Sequence, residues 1–296
     1  MRPAKTRDIQ NAHLESTYWN NFPFREGDIV INTYAKSGTT WMQQIVSQLI
    51  FDGRDDLTLP DLSPWIDMVL PPIEEKLEIL EKQDHRRFVK SHLPVDAIVF
   101  SEKARYIYVA RDGRDVLWSL HNHHINANDF YYERINERPG RVGPPFPRAN
   151  PDISAYFDHW LANDGDPFWS FFDSVKTWWE VRNLDNVLLV HFADLKTDLE
   201  VGILRVADFL DIEVKADLLP TVVTHCSFDY MKTHATRVAP RNGAVWEGGA
   251  QTFMNKGTNG RWRDVLSPEQ IERYERMALE RLGPECAGWL SEGGSY

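Results

Sequence analysis

Residues 28–51 read DIVINTYAKSGTTWMQQIVSQLIF, from Asp28 to Phe51, and the pattern changes character twice along them. Ile29, Val30 and Ile31 form a β-branched run that predicts a short buried strand. Tyr34 to Thr40 is a polar turn carrying one glycine, Gly38. From Trp41 onward Met42, Ile45, Val46, Leu49 and Ile50 recur at helical spacing. A strand, a glycine-bearing turn and a helix together offer free backbone N–H groups and the positive end of a helix dipole to an anion. Lys36 adds a full positive charge, and Ser37, Thr39 and Thr40 add hydroxyl donors. The stretch therefore reads as a phosphate-binding loop. It is not a Walker A loop, which places lysine after its second glycine; here Lys36 precedes the glycine and Asn32-Thr33 supplies no earlier one.

Beyond the loop, strands are expected within 87–94 (a short strand ending in a polar turn), at 106–110 (YIYVA) and at 187–190, with helices at 73–83, from Val116, and at 153–161, 169–182, 199–210, 218–224 and 267–282. Strands alternating with helices imply a mainly parallel sheet covered on both faces. The fold class expected is α/β, with no repeat and no linker, so residues 1–296 read as a single domain. The first 27 residues look like a polar lead-in whose Tyr18, Trp19, Phe22 and Phe24 pack on the first strand. From His121 to Pro151 the periodicity breaks up. A loop this long inside a compact domain is usually functional or disordered, and it is read as a lid over the site.

The net charge of −11 argues against a general nucleic-acid binder, which carries a basic face. It leaves room for a local basic pocket holding one anionic nucleotide. No run is apolar enough to span a bilayer, and the N-terminus lacks the apolar core of a secretory signal. The two cysteines, Cys226 and Cys286, make no disulfide framework, and no Cys/His spacing suggests zinc. A cytoplasmic protein without a metal is expected. Eleven tryptophans, ten tyrosines and fifteen phenylalanines can fill the core and still line an apolar cleft.

Four separated segments then share one resemblance: Lys36-Ser37-Gly38-Thr39-Thr40-Trp41, Val89-Lys90-Ser91-His92-Leu93-Pro94, the stretch from Tyr106 through Arg111 to Ser119, and Phe253 to Arg263 (FMNKGTNGRWR). In this order they resemble the cytosolic sulfotransferase family, from about residue 20 to residue 285. The texture of Ser63-Pro64-Trp65 and of His85-Arg86-Arg87-Phe88 looks more like the bacterial members, some of which act on glycolipids. The resemblance implies a three-layer α/β/α sandwich around a parallel sheet, and transfer of a sulfuryl group from 3′-phosphoadenosine-5′-phosphosulfate (PAPS) to a hydroxyl, leaving adenosine 3′,5′-bisphosphate (PAP). The acceptor would be a small-molecule, phenolic or glycolipid hydroxyl, and a homodimer is compatible with the family.

The same resemblance assigns roles. Lys36 to Thr40 would hold the 5′ end of the donor, and Lys36 would neutralise the leaving oxygen. His92 would be the general base, an imidazole suited to the task if it titrates near neutrality, with Lys90 near the transferring group. Arg111 would engage the 3′-phosphate in bidentate fashion, completed by Ser119, Lys256 and the N–H groups near Gly257. Trp41 would stack on adenine, with Phe192, Cys226, Ser227, Phe228 and Met231 around it. Three positions depart from the family pattern: Asn255 stands for arginine, Phe192 for tyrosine and Cys226 for threonine. Arg261 or Arg263 is the candidate to replace the missing charge. His121, His123 and His124 are candidates for the acceptor pocket. A kinase with an atypical loop and a non-catalytic nucleotide-binding module are the alternatives. The kinase lacks an acidic partner after the YIYVA strand.

Overall fold

The computed structural model describes residues 2–296. Four parallel strands lie in the order β2-β1-β3-β4, with β1 at Asp28–Thr33, β2 at Phe88–Ser91, β3 at Ala104–Ala110 and β4 at Val187–His191. β1 is central and buried along its whole length, which is why its sequence is a continuous apolar run. It pairs Ile31 with Lys90 of β2 and with Ile107 of β3.

Side-chain alternation splits the core between the two faces of the sheet. Val30, Tyr106, Tyr108 and Leu189 join one apolar cluster, while Ile29, Ile31, Ile107, Val109 and Val190 join the other. The second is covered by α1 (Thr39–Ile50), through Met42, Ile45, Val46 and Leu49, and by Leu199–Phe209. The first is covered by Gly113–Ile125, Ile153–Ala162, Phe171–Glu180 and Pro268–Glu292, and takes in Trp160, Trp178 and Trp289. The three layers are those expected of the α/β class.

Two regions differ from expectation. The lead-in does pack Trp19 and Phe22 into the first cluster with Val30, but His13 and Leu14 are buried as well. The stretch after His121 is less broken than it reads. The helix that begins at Gly113 runs through all three histidines to Ile125, and a second helix follows at Asp129–Asn136. Residues 137–150 carry no regular structure, yet Phe146 anchors them in a small cluster with Ala127, Tyr132 and Ile135.

The N-terminal edge of β1 is fastened by an ion pair that the apolar pattern conceals. Arg87 meets buried Asp28 through two bonds, Nε to Oδ1 at 2.9 Å and Nη2 to Oδ2 at 2.5 Å. Removing one partner leaves the other charge buried without compensation, which costs about 3–5 kcal/mol. Asp28→Ala is therefore expected to lower unfolding stability by that amount in a denaturant titration. A loss under about 1 kcal/mol would show that the guanidinium finds other partners.

Candidate active site

In an open parallel sheet, ligands bind beyond the carboxyl ends of the strands. Here every strand leads into a residue of the predicted site within three residues of its end. β1 leads into Lys36–Thr40, β2 into His92, β3 into Arg111 and β4 into Phe192. These ends open on a cavity of about 440 Å³ lined by Lys36, Gly38, Thr39, Thr40, Trp41, Lys90, His92, Arg111, Ser119, Phe192, Phe228, Met231, Asn255, Lys256 and Gly257, among others. Residues from 36 to 257 thus converge on one space.

The loop has the geometry of an anion cradle. Gly38, at φ 119°, turns the chain into α1. A Cβ there would lie 3.0 Å from the ring of Phe192, so the turn is built for glycine. The first bond into the helix runs from Met42 N–H to Gly38 C=O, and the N–H groups of Gly38, Thr39, Thr40 and Trp41 find no acceptor among the described residues. Thr39 Oγ1 lies 2.6 Å from Thr33 Oγ1, holding the helix start to β1.

Lys36 and Arg111 bring positive charge to that cradle. Lys36 Nζ donates to His123 Nδ1 at 3.2 Å and lies 4.6 Å from the ring centre of Phe253. Burial, with Arg111 and Lys90 close by, draws its pKa down to about 7. Arg111 donates to Lys36 C=O at 3.3 Å, to Thr258 C=O at 3.0 Å and to Asn259 Oδ1 at 2.8 Å, and its guanidinium stacks 4.3 Å from the Phe192 ring. It therefore ties the loop to the segment 253–263. Gly257, at φ 62°, packs so closely on Phe228 that a Cβ would meet the ring at 2.6 Å. Exposed Lys256 follows the same turn into the cavity wall.

At His92 the hydrogen bonding fixes the tautomer. Nδ1 lies 2.7 Å from the carbonyl oxygen of Thr33, which can only accept, so Nδ1 carries the proton and Nε2 keeps its lone pair. The ring is held between Trp65, edge-on at 4.6 Å, and Trp169, stacked at 5.8 Å. Burial first, then Lys90 and Lys36, lower its pKa to about 3, against the opposing effect of the Thr33 bond. The expectation of a near-neutral imidazole is thereby corrected: two cations and dry surroundings hold it neutral. Lys90 itself is drawn down by burial to about 8 and lies 4.6 Å from the Trp65 ring.

Not every predicted residue reaches the cavity. The Cys226 thiol is fully buried in the core, and its contribution is a carbonyl that accepts from Trp41 Nε1 at 2.7 Å. Ser227 caps the helix Phe228–Thr233, accepting from Tyr230 N–H. Ser37 is buried, with its N–H on Tyr34 C=O. Trp41 is held by Cys226 and meets Phe192 edge-on at 5.2 Å, so its ring orientation is fixed by the protein. Beside Asn255, Arg261 Nη1 donates to Asn255 Oδ1 at 3.3 Å, and its guanidinium lies 3.5 Å over Trp118 on the cavity wall. Arg263 instead stacks 4.3 Å over Trp262. Of the three histidines only His123 lines the cavity. His121 and His124 are bound to Asn150 C=O and Pro147 C=O.

Sequence reasoning missed Asp67, a fully buried carboxylate. It accepts from Trp19 Nε1 at 3.1 Å, Trp65 Nε1 at 2.7 Å and His92 N–H at 3.1 Å, so it fixes both His92 and its tryptophan neighbour. Lys76, also buried, donates to Ile66 C=O at 3.2 Å beneath the same wall. Lys196 Nζ donates to Gly257 C=O at 2.9 Å. Of these, only Lys196 carried a signal, as the end of Phe192-Ala193-Asp194-Leu195-Lys196.

The fold is of the α/β class, with cationic and unsatisfied N–H groups gathered at the carboxyl ends of its strands. A family model described as the sulfotransferase domain matches residues 26–284. The chain belongs to that family, and its enzyme class is that of the PAPS-dependent sulfotransferases. It is 31% identical to a glycolipid sulfotransferase of Mycobacterium tuberculosis over 93% of this chain and 91% of that one, and 30% identical to mouse sulfotransferase 1B1 over 88% and 84%. Among solved structures, mouse sulfotransferase SULT7A1 complexed with PAP matches at a TM-score of 0.71 with 22% identity, covering 93% and 92% of the two chains. Retinol dehydratase in a complex with retinol and PAP matches at 0.70 with 22% identity, covering 90% and 84%. These two carry the fold. No helix among the described residues is long and apolar enough to cross a membrane.

Proposed function

We propose that the protein moves the sulfuryl group of PAPS to a hydroxyl of a small-molecule or lipid acceptor. The observation that carries this reading is the meeting, in one cavity, of an unsatisfied helix N-terminus, Lys36 and Arg111 with an imidazole whose Nε2 is free. The 5′-phosphosulfate suits the N–H groups of Gly38 to Trp41, and the 3′-phosphate suits Arg111 with Ser119 and Lys256. Both solved relatives hold PAP, which supports the nucleotide. The acceptor oxygen forms the new O–S bond as its proton passes to His92 Nε2. The S–O bond to the 5′-phosphate breaks, and its electron pair stays on the departing bisphosphate, where the Lys36 ammonium offsets the charge. The walls around His92 (Trp65, Phe168, Trp169) suit a phenol or the hydroxyl of a glycolipid, in keeping with the glycolipid sulfotransferase relative.

Ligand-induced stabilisation tests the donor. PAP at about 100 times its Kd adds about 2.7 kcal/mol, a rise in Tm of about 4 °C for a chain of this size. It should do so without magnesium, and ATP should do little. The reverse ranking would favour a kinase.

A further inference from the structure

Outside the donor-binding residues, the cavity wall carries two guanidinium groups that no carboxylate neutralises. Arg134 lies on the helix Asp129–Asn136, and Arg241 lies in the turn Pro240–Gly243. What sets these two apart is their place on the cavity wall, beyond the predicted donor-binding residues. On the same helix as Arg134, Asp129 already serves Arg148. Arg134 and Arg241 have no ion-pair partner among the described residues, and Arg134 rests only against the Phe130 ring at 5.5 Å.

The backbone holds the two arginines near each other. Arg241 and Asn242 both adopt the left-handed conformation, at φ 50° and 53°, a region that disfavours such side chains and persists where the surroundings enforce it. The enforcing contacts link the two elements. Asn128 N–H donates to Val245 C=O at 3.2 Å, Asn128 Nδ2 to Ala244 C=O at 2.9 Å, and Glu247 N–H to Asn126 C=O at 2.8 Å. The turn that presents Arg241 is thus stitched to the start of the helix that presents Arg134. Burial and Arg134 together lower the Arg241 pKa, and Glu75 opposes this from too far for an ion pair. Tyr131, Ile135 and Trp246 line the same cavity and give it apolar surface.

We propose that Arg134 and Arg241 form an anion subsite of the acceptor cavity, and that the preferred acceptor is an anionic amphiphile. Its hydroxyl meets His92, its apolar body lies along the aromatic wall, and a carboxylate, phosphate or sulfate group sits between the two guanidinium forks. This inference rests on the reading that the cavity takes the acceptor. Two adjacent forks suit a carboxylate or phosphate oxygen set, and bringing an anion between them removes their mutual repulsion.

The test uses the whole chain saturated with PAP, which blocks the donor cations. Octyl phosphate, octyl glucoside and inorganic phosphate are titrated calorimetrically, below micelle-forming concentrations. Octyl phosphate should bind about tenfold or more tighter than octyl glucoside. In the double variant Arg134→Gln/Arg241→Asn its Kd should rise about tenfold or more, with octyl glucoside and PAP within about twofold of native. Asparagine is chosen because it tolerates the left-handed backbone. Arg276→Gln, on the far C-terminal helix, should change none of the three. Equal binding of the charged and uncharged amphiphiles, or an unchanged Kd in the double variant, would overturn the subsite. Inorganic phosphate competing as well as octyl phosphate would overturn the amphiphile and leave only a free-anion site. If native protein fails to bind PAP, the donor reading falls, and the loss of octyl phosphate affinity in the double variant still decides the subsite.

Discussion

Replacing His92 with alanine is expected to cut kcat by about 10²–10⁴-fold while PAP binds nearly as well as to the native protein. The separation of the two effects follows from where the ring sits. Its Nδ1 is spent on Thr33 C=O, so the working atom is Nε2, and no donor-binding cation contacts the ring. A pKa of about 3 would make a poor base if it persisted in the ternary complex. It need not persist, because two of the groups that depress it, Lys90 and Lys36, are cations that the donor would meet. A bound anion offsets their charge, and the His92 pKa rises to the level that burial alone sets. Activity should then fall as pH drops through a pKa above 3, and the acid limb of the kcat profile should vanish in His92→Ala. Loss of PAP binding together with kcat would mean that the ring holds β2 against β1 instead. Activity within a few-fold of native would remove the base assignment altogether.

The parts of the site that the sequence made legible are those that follow directly from a strand end. Lys36, His92, Arg111 and Phe192 each stand within three residues of the last residue of a strand. A parallel sheet carries all such positions to one edge whatever lies between them, so local pattern sufficed to place them. Asp67 could not be read this way. It sits in an irregular stretch, and its importance comes from partners 48 and 25 residues away. The helix Asp129–Asn136 was hidden because its amphipathic signal is short and lies between a histidine-rich helix end and a proline-rich loop. Cys226 and Ser227 show the opposite error. The thiol turns into the core and the hydroxyl caps a helix, so Phe228 lines the cavity in their place. His123 was one of three equivalent candidates until the helical turn set it, and not its neighbours, beside Lys36.

PAP affinity is expected to weaken as pH rises above about 7, and Lys36 is the main reason. In the free protein its ammonium loses its proton near that value, because it is buried beside Arg111 and Lys90. An anionic ligand stabilises the charged form, so the pKa is higher in the complex and binding takes up a proton between the two values. Kd then grows by up to about tenfold per pH unit, or about 1.4 kcal/mol. Lys90, at about 8, adds to the slope higher up. Below pH 7 Lys36 is already charged and this dependence ends. The second ionisation of the 3′-phosphate, near pH 6, then weakens binding on the acid side, so affinity should peak between about 6 and 7. Calorimetry at pH 8 in buffers of different ionisation enthalpy should register the proton uptake directly. In Lys36→Met the uptake should shrink to the share of Lys90, and affinity at pH 6.5 should fall about 10–150-fold, the worth of a hydrogen bond to a charged group. His123 sharpens the reading. As a neutral acceptor it holds Lys36 Nζ in the free protein, so His123→Phe should lower the free Lys36 pKa further and steepen the dependence near neutrality. Native and Lys36→Met proteins taking up equal numbers of protons would place the titrating group elsewhere, and Lys36 would lose its assigned contact with the departing nucleotide.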